Sequence, residues 1–132
     1  MKKSNHGFTL VELLIVITIL GLLMSLVAPK MFSKVSSTKR KAAIAQMQNL
    51  ETALDTYRLD IGDYPNNLQA LRKSTIRGWD GPYLPKDVPL DPWGNPYEYQ
   101  VPGDDGSPYL LKSLGKDGQL GGIDDNADIV HK

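Results

Sequence analysis

Apolar residues follow a continuous pattern near the start of the chain. From Phe8 to Ala28 almost every position is apolar, and the polar exceptions are Thr9, Glu12, Thr18 and Ser25. A helix of about 21 residues is roughly 30 Å long, which matches the hydrocarbon core of a bilayer. This stretch therefore predicts a membrane-spanning helix that contains a single carboxylate.

Beyond this stretch the pattern becomes that of an amphipathic helix. Apolar residues recur at spacings of three and four, the period of one helix face, at Met47, Leu50, Leu54, Tyr57 and Ile61. Gly62 follows directly and Pro65 lies shortly after it, which is typical of a helix end. We predict one helix over residues 8–61, made of a hydrophobic segment, 8–29, and an amphipathic segment, 30–61.

Two residues are expected to weaken this helix in its first half. Pro29 cannot donate a backbone hydrogen bond to residue 25, and Gly21 has a low helix propensity. We predict a kink or local unwinding at Pro29, with Gly21 as a second weak point. The polar run Ser36–Thr38 is a further candidate for a break.

The remaining residues, 62–132, predict a small mixed domain. Residues 66–74 can form a short helix, and strands are expected at Tyr97–Val101 and Tyr109–Ser113. A turn at Gly103–Gly106 would join the strands into a hairpin that packs on the apolar face of the long helix.

Composition excludes several classes of function. The formal net charge is +0, so there is no overall basic field for nucleic acid. The absence of cysteine excludes disulfides, thiolate catalysis and cysteine-ligated metals. No Gly-rich phosphate loop, HExxH motif or nucleophile elbow is present. His6 and His131 lie near the ends of the sequence, where neither is expected to anchor a buried site, so we predict no enzyme.

The charges are unevenly distributed along the chain. Residues 1–60 carry eight Lys and Arg against four Asp and Glu, whereas residues 61–132 carry seven against eleven. A basic run without acids consists of Lys30, Lys34, Lys39, Arg40 and Lys41. It predicts either a solvated face or contact with anionic lipid or acidic neighbours.

The start of the chain has features that simple membrane targeting does not explain. Lys2 and Lys3 favour a cytoplasmic position for the N-terminal end of the apolar helix. A secretory signal peptide would have a shorter apolar region and a small-residue cleavage site, which Ser25–Ala28 fits poorly. A plain anchor gives no reason for Glu12, because a carboxylate near a bilayer core costs about 2–3 kcal/mol.

The short basic leader is followed by the run Gly7-Phe8-Thr9-Leu10-Val11-Glu12. This run resembles the class III signal of type IV pilins and pseudopilins. The resemblance implies that a prepilin peptidase removes residues 1–7 by cleaving after Gly7 and methylates the new N-terminal Phe8. The resulting ammonium could pair with Glu12 of its own or the next subunit, since a lone charge is costly in lipid. Glu12 is therefore expected to favour docking between subunits.

A Pro-rich turn in the second half of the chain makes the resemblance more specific within this group of proteins. Asp91-Pro92-Trp93-Gly94-Asn95-Pro96-Tyr97, with Leu54–Asp60 and Ser113–Gly118, resembles the major pseudopilins of type II secretion systems. This family implies an α+β, type IV pilin-like fold, in which a long N-terminal helix packs on a small antiparallel β-sheet followed by a C-terminal calcium loop. Trp93 is expected to cap the core, with a ligand-stacking platform as the alternative. The shorter segment between Pro65 and Tyr83 departs from the family, as does the tail, which lacks Gly-Asn-Trp.

The same resemblance implies a function and a location. Major pseudopilins polymerise into a periplasmic pseudopilus that drives export of folded proteins across the outer membrane. The expected partners are further copies of the chain, minor pseudopilins, the inner-membrane assembly platform and, before assembly, membrane lipid, but no nucleic acid. The chain is expected to cross the bacterial inner membrane once, with its C-terminal domain in the periplasm. A type IV pilus or competence pilin is the alternative, although those proteins commonly carry a C-terminal disulfide.

The C-terminal acids have the composition of a calcium site. Hard oxygen donors on a Gly-rich backbone suit Ca²⁺ and suit zinc or copper poorly, although the spacing is not that of an EF-hand. On composition alone a solvated acidic tail is the alternative, whereas the pseudopilin resemblance implies one bound Ca²⁺. The implied ligands are the side chains of Asp117, Asp124, Asn126 and Asp128 and the carbonyls of Leu114 and Gly122, with Asp125 able to replace Asp124 or Asn126.

Overall fold

The computed structural model describes residues 7–131 in two compact units, of which the first ends at Ser36 and the second begins at Ser37. Residues 1–6 of the predicted leader and Lys132 lie outside the described residues. The elements are helix α1 (Leu10–Ile61), a 3₁₀ helix (Leu68–Leu71), strands β1 (Glu98–Gln100) and β2 (Leu110–Ser113), a second 3₁₀ helix (Asp124–Asn126) and strand β3 (Ile129–Val130). The predicted long N-terminal helix and small antiparallel sheet are therefore confirmed.

Helix α1 begins and ends at residues that cap it. The Thr9 hydroxyl accepts a hydrogen bond from the Glu12 backbone N–H at 3.1 Å, and the Glu12 carboxylate lies in the first turn, where it complements the helix dipole. At the other end, Gly62 has a φ of 105° and its N–H donates to the Arg58 carbonyl at 2.7 Å. Glycine adopts positive φ at little cost, so Gly62 ends the helix as predicted.

Helix α1 is continuous through the residues expected to interrupt it. Gly21, Pro29 and Ser36–Thr38 all lie inside the helical range Leu10–Ile61. The backbone is thus assigned as helical at these positions, and the predicted kink at Pro29 stays a prediction. A proline removes one hydrogen bond of the helix at a cost of about 3 kcal/mol, and the bonds on either side can keep the backbone helical.

The first unit leaves its apolar side chains uncovered. Every large apolar residue from Leu10 to Val27 is at least 46% exposed. Within residues 7–131, α1 alone is long and apolar enough to cross a membrane by length and composition, with an 18-residue window of mean hydropathy 2.7 and 0% of it buried. An apolar surface of this size requires lipid or another apolar partner.

The second unit is built around the predicted apolar face of α1. Met47, Leu50, Leu54 and Tyr57 are buried on this face, together with Ala43 and Ala53. They share one core with Leu68, Leu71, Leu84, Tyr97, Leu111 and Ile129. Trp93 packs against this core while remaining partly exposed, which agrees with the predicted cap. The helix expected over residues 66–74 is a single 3₁₀ turn that buries two leucines and is capped by Asn67.

The three strands form one antiparallel sheet in the order β1-β2-β3. Tyr99 of β1 pairs with Leu111 of β2, which confirms the predicted hairpin with shorter strands. Ser113 of β2 pairs with Ile129 of β3, a strand that the sequence pattern does not predict. Two residues carry too little periodicity to be recognised, because a strand is indicated only by alternation over several positions.

Two tyrosine hydroxyls, one of β1 and one just before it, connect this part of the chain to helix α1 and to the segment that follows α1. Tyr97 donates a hydrogen bond to Gln46 Oε1, and Tyr99 donates to the Pro65 carbonyl at 2.6 Å. Burial raises the pKa of both tyrosines above the usual range, so their hydroxyls remain neutral donors.

The turn that begins at Asp91 fixes the chain where it leaves β2. The Asp91 side chain is buried, and its Oδ1 accepts from the backbone N–H groups of Trp93 at 3.0 Å and Asn95 at 2.8 Å. Its Oδ2 accepts from the Ser113 hydroxyl at 2.8 Å. The Asn95 side-chain amide then donates to the Gly115 carbonyl at 3.1 Å. The turn therefore holds both the end of β2 and the residues that follow it.

We expect Asp91→Ala to destabilise the second unit by about 2–4 kcal/mol, because three donors lose their acceptor. Thermal unfolding of the full chain in detergent, followed by near-UV circular dichroism, measures this, since both tryptophans lie beyond Ser37. Asp104→Ala is the matched control, because Asp104 is exposed and accepts from one exposed side chain. Equal melting temperatures for the two variants would contradict the assigned role of Asp91.

Candidate functional site

The first predicted site lies at the start of α1. Gly7, Phe8 and Thr9 precede the helix, and Phe8 is 85% exposed. Glu12 is exposed in the first turn and is the only acidic residue between Gly7 and Leu50. The structure thus places one carboxylate a single turn from Phe8, at the end of an uncovered apolar surface. The side chain has no charged partner among the ion pairs of the described residues.

The predicted metal ligands lie in the segment between β2 and β3, residues 114–128, here called the acidic loop. Backbone hydrogen bonds close this loop: Lys116 N–H donates to the Asp125 carbonyl at 2.8 Å, and Ala127 N–H donates to the Asp124 carbonyl at 3.2 Å. The Gly121 N–H donates to Asp128 Oδ2 at 3.1 Å. The acids predicted as ligands are therefore held in one closed loop.

Two glycines allow the acidic loop to fold closely on itself. Gly115 and Gly122 have φ values of 76° and 99°, in the region that favours glycine. A Cβ atom on Gly122 would lie 2.5 Å from the Asn126 carbonyl oxygen, and one on Gly115 would lie 2.8 Å from that of Ala127. Both positions require glycine, because any side chain would occupy the space against the Asn126–Ala127 backbone.

Asp128 has the clearest unsatisfied oxygen in the acidic loop. Its Oδ2 accepts from Gly121, whereas its Oδ1 is buried and has no hydrogen-bond partner. A buried polar atom without a partner costs about 1–3 kcal/mol, and a bound cation would satisfy it. Asp117 differs, because it is exposed and its Oδ1 accepts from the Gln119 N–H at 3.1 Å.

The other predicted ligands contribute oxygen atoms of several kinds. Asp124 is exposed, while Asp125 and Asn126 are half-buried. Within residues 7–131, no three carboxylate or imidazole groups converge as a metal cluster. A cation in this loop would therefore need amide and carbonyl oxygens, such as those of Asn126, Leu114 and Gly122, beside the carboxylates. This all-oxygen set fits Ca²⁺, and the calcium assignment stays a prediction.

One residue of the basic run contacts the acidic loop. Arg40 Nη1 donates hydrogen bonds to the carbonyls of Asp124 at 3.2 Å and Ala127 at 3.1 Å. The sequence pattern groups Arg40 with four lysines as one basic stretch and does not predict that Arg40 contacts the acidic loop. The one arginine in this run is a sequence signal for such a contact, since a guanidinium presents several hydrogen-bond donors in a fixed geometry.

His131 is placed differently from the expectation for a residue near the end of the sequence. Its side chain is only 9% exposed, and its Nε2 lies 2.8 Å from Glu51 Oε2 on α1. The His131 N–H also donates to the Leu111 carbonyl at 2.8 Å. Pairing of β3 with β2 brings this residue onto the helix, so it anchors the C-terminal strand.

Comparison with known families matches nearly the whole chain. The family described as type II secretion system (T2SS), protein G matches residues 30–132. The prokaryotic N-terminal methylation motif matches residues 2–28, which include Gly7, Phe8 and Glu12.

Individual relatives agree with these matches. The type II secretion system core protein G of Pseudomonas aeruginosa is 40% identical, over 97% of this chain and 95% of the relative. Its counterpart in Vibrio cholerae is 39% identical, over 98% of this chain and 94% of the relative. The crystal structure of the major pseudopilin from the type 2 secretion system of enterohaemorrhagic Escherichia coli is 30% identical, with a TM-score of 0.63, and covers 75% of this chain and 90% of that chain. The fold, the methylation motif and these relatives lead to one assignment: the chain belongs to the protein G family of type II secretion systems, the major pseudopilins.

Proposed function

We propose that this pseudopilus subunit polymerises into a periplasmic filament that drives export of folded proteins across the outer membrane. The observation that supports this most directly is the apolar surface of α1, where each large side chain from Leu10 to Val27 is at least 46% exposed. Lipid can cover this surface before assembly, and the same segments of other copies can cover it afterwards. The relatives are secretion proteins, so a type IV pilus or competence pilin is not favoured.

Processing by a prepilin peptidase would prepare the chain for assembly. Cleavage after Gly7 releases an amino group at Phe8, and methylation of this group retains its positive charge. The match of residues 2–28 to the N-terminal methylation motif supports this step. The leader would then be lost and the apolar helix would begin close to its own N-terminus.

Glu12 would select another subunit over lipid as the partner of the apolar helix. In lipid, the carboxylate and the Phe8 ammonium are each costly when they lack a counter-charge. A neighbouring subunit that offers the opposite charge lowers this cost for both groups, and the pairing works only at one axial offset. Glu12 would therefore contribute both affinity and register to the filament.

The membrane placement follows from the same segment. We propose a single crossing of the inner membrane by residues 8–29, with the second unit in the periplasm. Minor pseudopilins and the inner-membrane assembly platform would be the partners during polymerisation. A filament subunit needs binding surfaces and no reacting groups, so we propose that the chain is not an enzyme and binds no nucleic acid.

We further propose that the acidic loop binds one Ca²⁺ ion. Asp128 supports this with its buried, unpartnered Oδ1, and Asp117, Asp124, Asn126 or Asp125, with the carbonyls of Leu114 and Gly122, would supply the other oxygens. The ion would neutralise acids that otherwise repel one another. It would stabilise a small periplasmic domain that has no cysteine and therefore no disulfide.

Glu12→Ala is expected to leave membrane insertion intact and to impair filament assembly strongly. The substitution removes only the side chain, so the Thr9 cap, which uses the backbone N–H of residue 12, is preserved. Membrane fractionation and the yield of sheared filaments measure the two properties separately. Thr18→Ala is the control, since it removes a polar group whose hydroxyl donates to the Leu14 carbonyl of the same helix. Normal filament yield from the Glu12 variant would refute the proposed selection of subunit over lipid.

Calcium is expected to raise the melting temperature of the full chain in detergent. An ion at about 100 times its dissociation constant stabilises the folded state by about 2.7 kcal/mol. Titration calorimetry and thermal unfolding, with and without a chelator, measure this. Asp128→Asn should weaken binding, whereas Asp63→Asn, at an exposed position outside the loop, should not. The calcium proposal fails if millimolar Ca²⁺ produces neither heat nor a thermal shift in the parent chain.

A further inference from the structure

We propose that Arg40 is a positioning residue for the acidic loop and that the calcium affinity of the loop depends on it. The proposal rests on the calcium site proposed above and assigns a determinant of its affinity that lies outside the loop. Arg40 belongs to α1 and is separated from its loop contacts by more than eighty residues of sequence. It acts on the ligands through the backbone and does not itself contact the ion.

The contacts of Arg40 enclose the part of the loop that is richest in candidate ligands. Its Nη1 donates to the carbonyls of Asp124 and Ala127, at 3.2 Å and 3.1 Å. The residues between these two carbonyls, together with Asp124, form the 3₁₀ turn Asp124–Asn126. Asp128 follows Ala127. Arg40 thereby fixes both ends of the turn to one point on the long helix.

The helix at this point is well anchored. Ala43 and Met47, one and two turns beyond Arg40, are each 0% exposed in the core of the second unit. The guanidinium is half-buried. A loop attached here gains the rigidity of the core, which an exposed Gly-rich segment does not have by itself.

The conformation of Asp124 indicates that the loop needs such a support. Its φ is 51°, and it is the only non-glycine residue with positive φ among the described residues. Aspartate tolerates this left-handed region better than most residues, but such a conformation persists only when its surroundings hold it. The Asp124 carbonyl is held twice, by Arg40 and by the Ala127 N–H.

Two effects of Arg40 on a bound cation oppose each other. Its positive charge repels Ca²⁺, which would lower the affinity, whereas its hydrogen bonds order the ligand turn before binding, which would raise it. The hydrogen bonds of the guanidinium go to backbone carbonyls, and the Asp128 Oδ1 has no hydrogen-bond partner. Ordering the backbone of one residue corresponds to a change of about tenfold in an equilibrium constant. The turn contains three residues, and we expect a partial gain in their order to outweigh the repulsion, which salt screens.

Three variants of the full chain in detergent separate these effects. Arg40→Gln removes the charge and both hydrogen bonds of Nη1, and Arg40→Lys keeps the charge on a shorter side chain that does not place a donor at the position of Nη1. Lys41→Gln removes an adjacent charge at an exposed position and serves as the control for charge alone. Calcium titration calorimetry gives the affinity. Amide hydrogen exchange of Asn126 and Ala127 in chelator reports the order of the turn without metal.

Arg40→Lys should bind Ca²⁺ about tenfold more weakly than the parent, and Arg40→Gln should lose less affinity because it also removes the repulsion. Both should exchange these amides faster in chelator, while Lys41→Gln resembles the parent. Retention of the parent near-UV circular dichroism shows that a variant is folded. If Arg40→Gln does not fold, the affinity of Arg40→Lys still tests the proposal. Unchanged or tighter binding by Arg40→Gln would overturn the role of Arg40 and leave the calcium site standing. No binding by the parent chain would overturn both.

Discussion

The apolar first half of α1 is the constraint on which the rest of the molecule depends. No large side chain from Leu10 to Val27 is less than 46% exposed, so this segment is incomplete without lipid or other copies of the chain. A hydrophobic surface alone does not distinguish these two environments, because lipid chains are as apolar as leucine. In the assembly proposed above, the carboxylate of Glu12 would provide the distinction, since the amino terminus of a processed neighbour would satisfy it and lipid chains would not.

The second unit has a core of its own, although it shares helix α1 with that surface. Its core begins at Ala43, where the amphipathic face of α1 starts to be buried. Without cysteine, its C-terminal residues are secured by dispersed polar contacts. Asp91 holds the end of β2, Arg40 holds the acidic loop, and His131 lies against Glu51 on the helix. A bound Ca²⁺ would add to these polar contacts, which form without it.

Local patterns in the sequence predict the parts of this structure that have local causes. The buried face containing Leu50 and Leu54 repeats with the period of a helix, and Gly62 ends the helix by adopting positive φ. Contacts between distant residues leave no such periodicity, which is why the roles of Arg40 and His131 are absent from the prediction. Pro29 has a local effect that predicts a kink or unwinding, and although the residue lies inside the helical range Leu10–Ile61, the kink stays a prediction. For the acidic loop, the residue types predict its chemistry, while its support by Asp91 and Asn95 depends on the fold.

We propose that the Phe8 ammonium and the Glu12 carboxylate pair between subunits during assembly, which requires a processed N-terminus. The most direct test is the intact mass of the protein extracted from the membrane of cells that contain the secretion system and its peptidase. We expect a chain that has lost residues 1–7 and gained one methyl group on Phe8. A chain that retains Met1 in assembled filaments would contradict this, because Phe8 would then carry no ammonium with which Glu12 could pair.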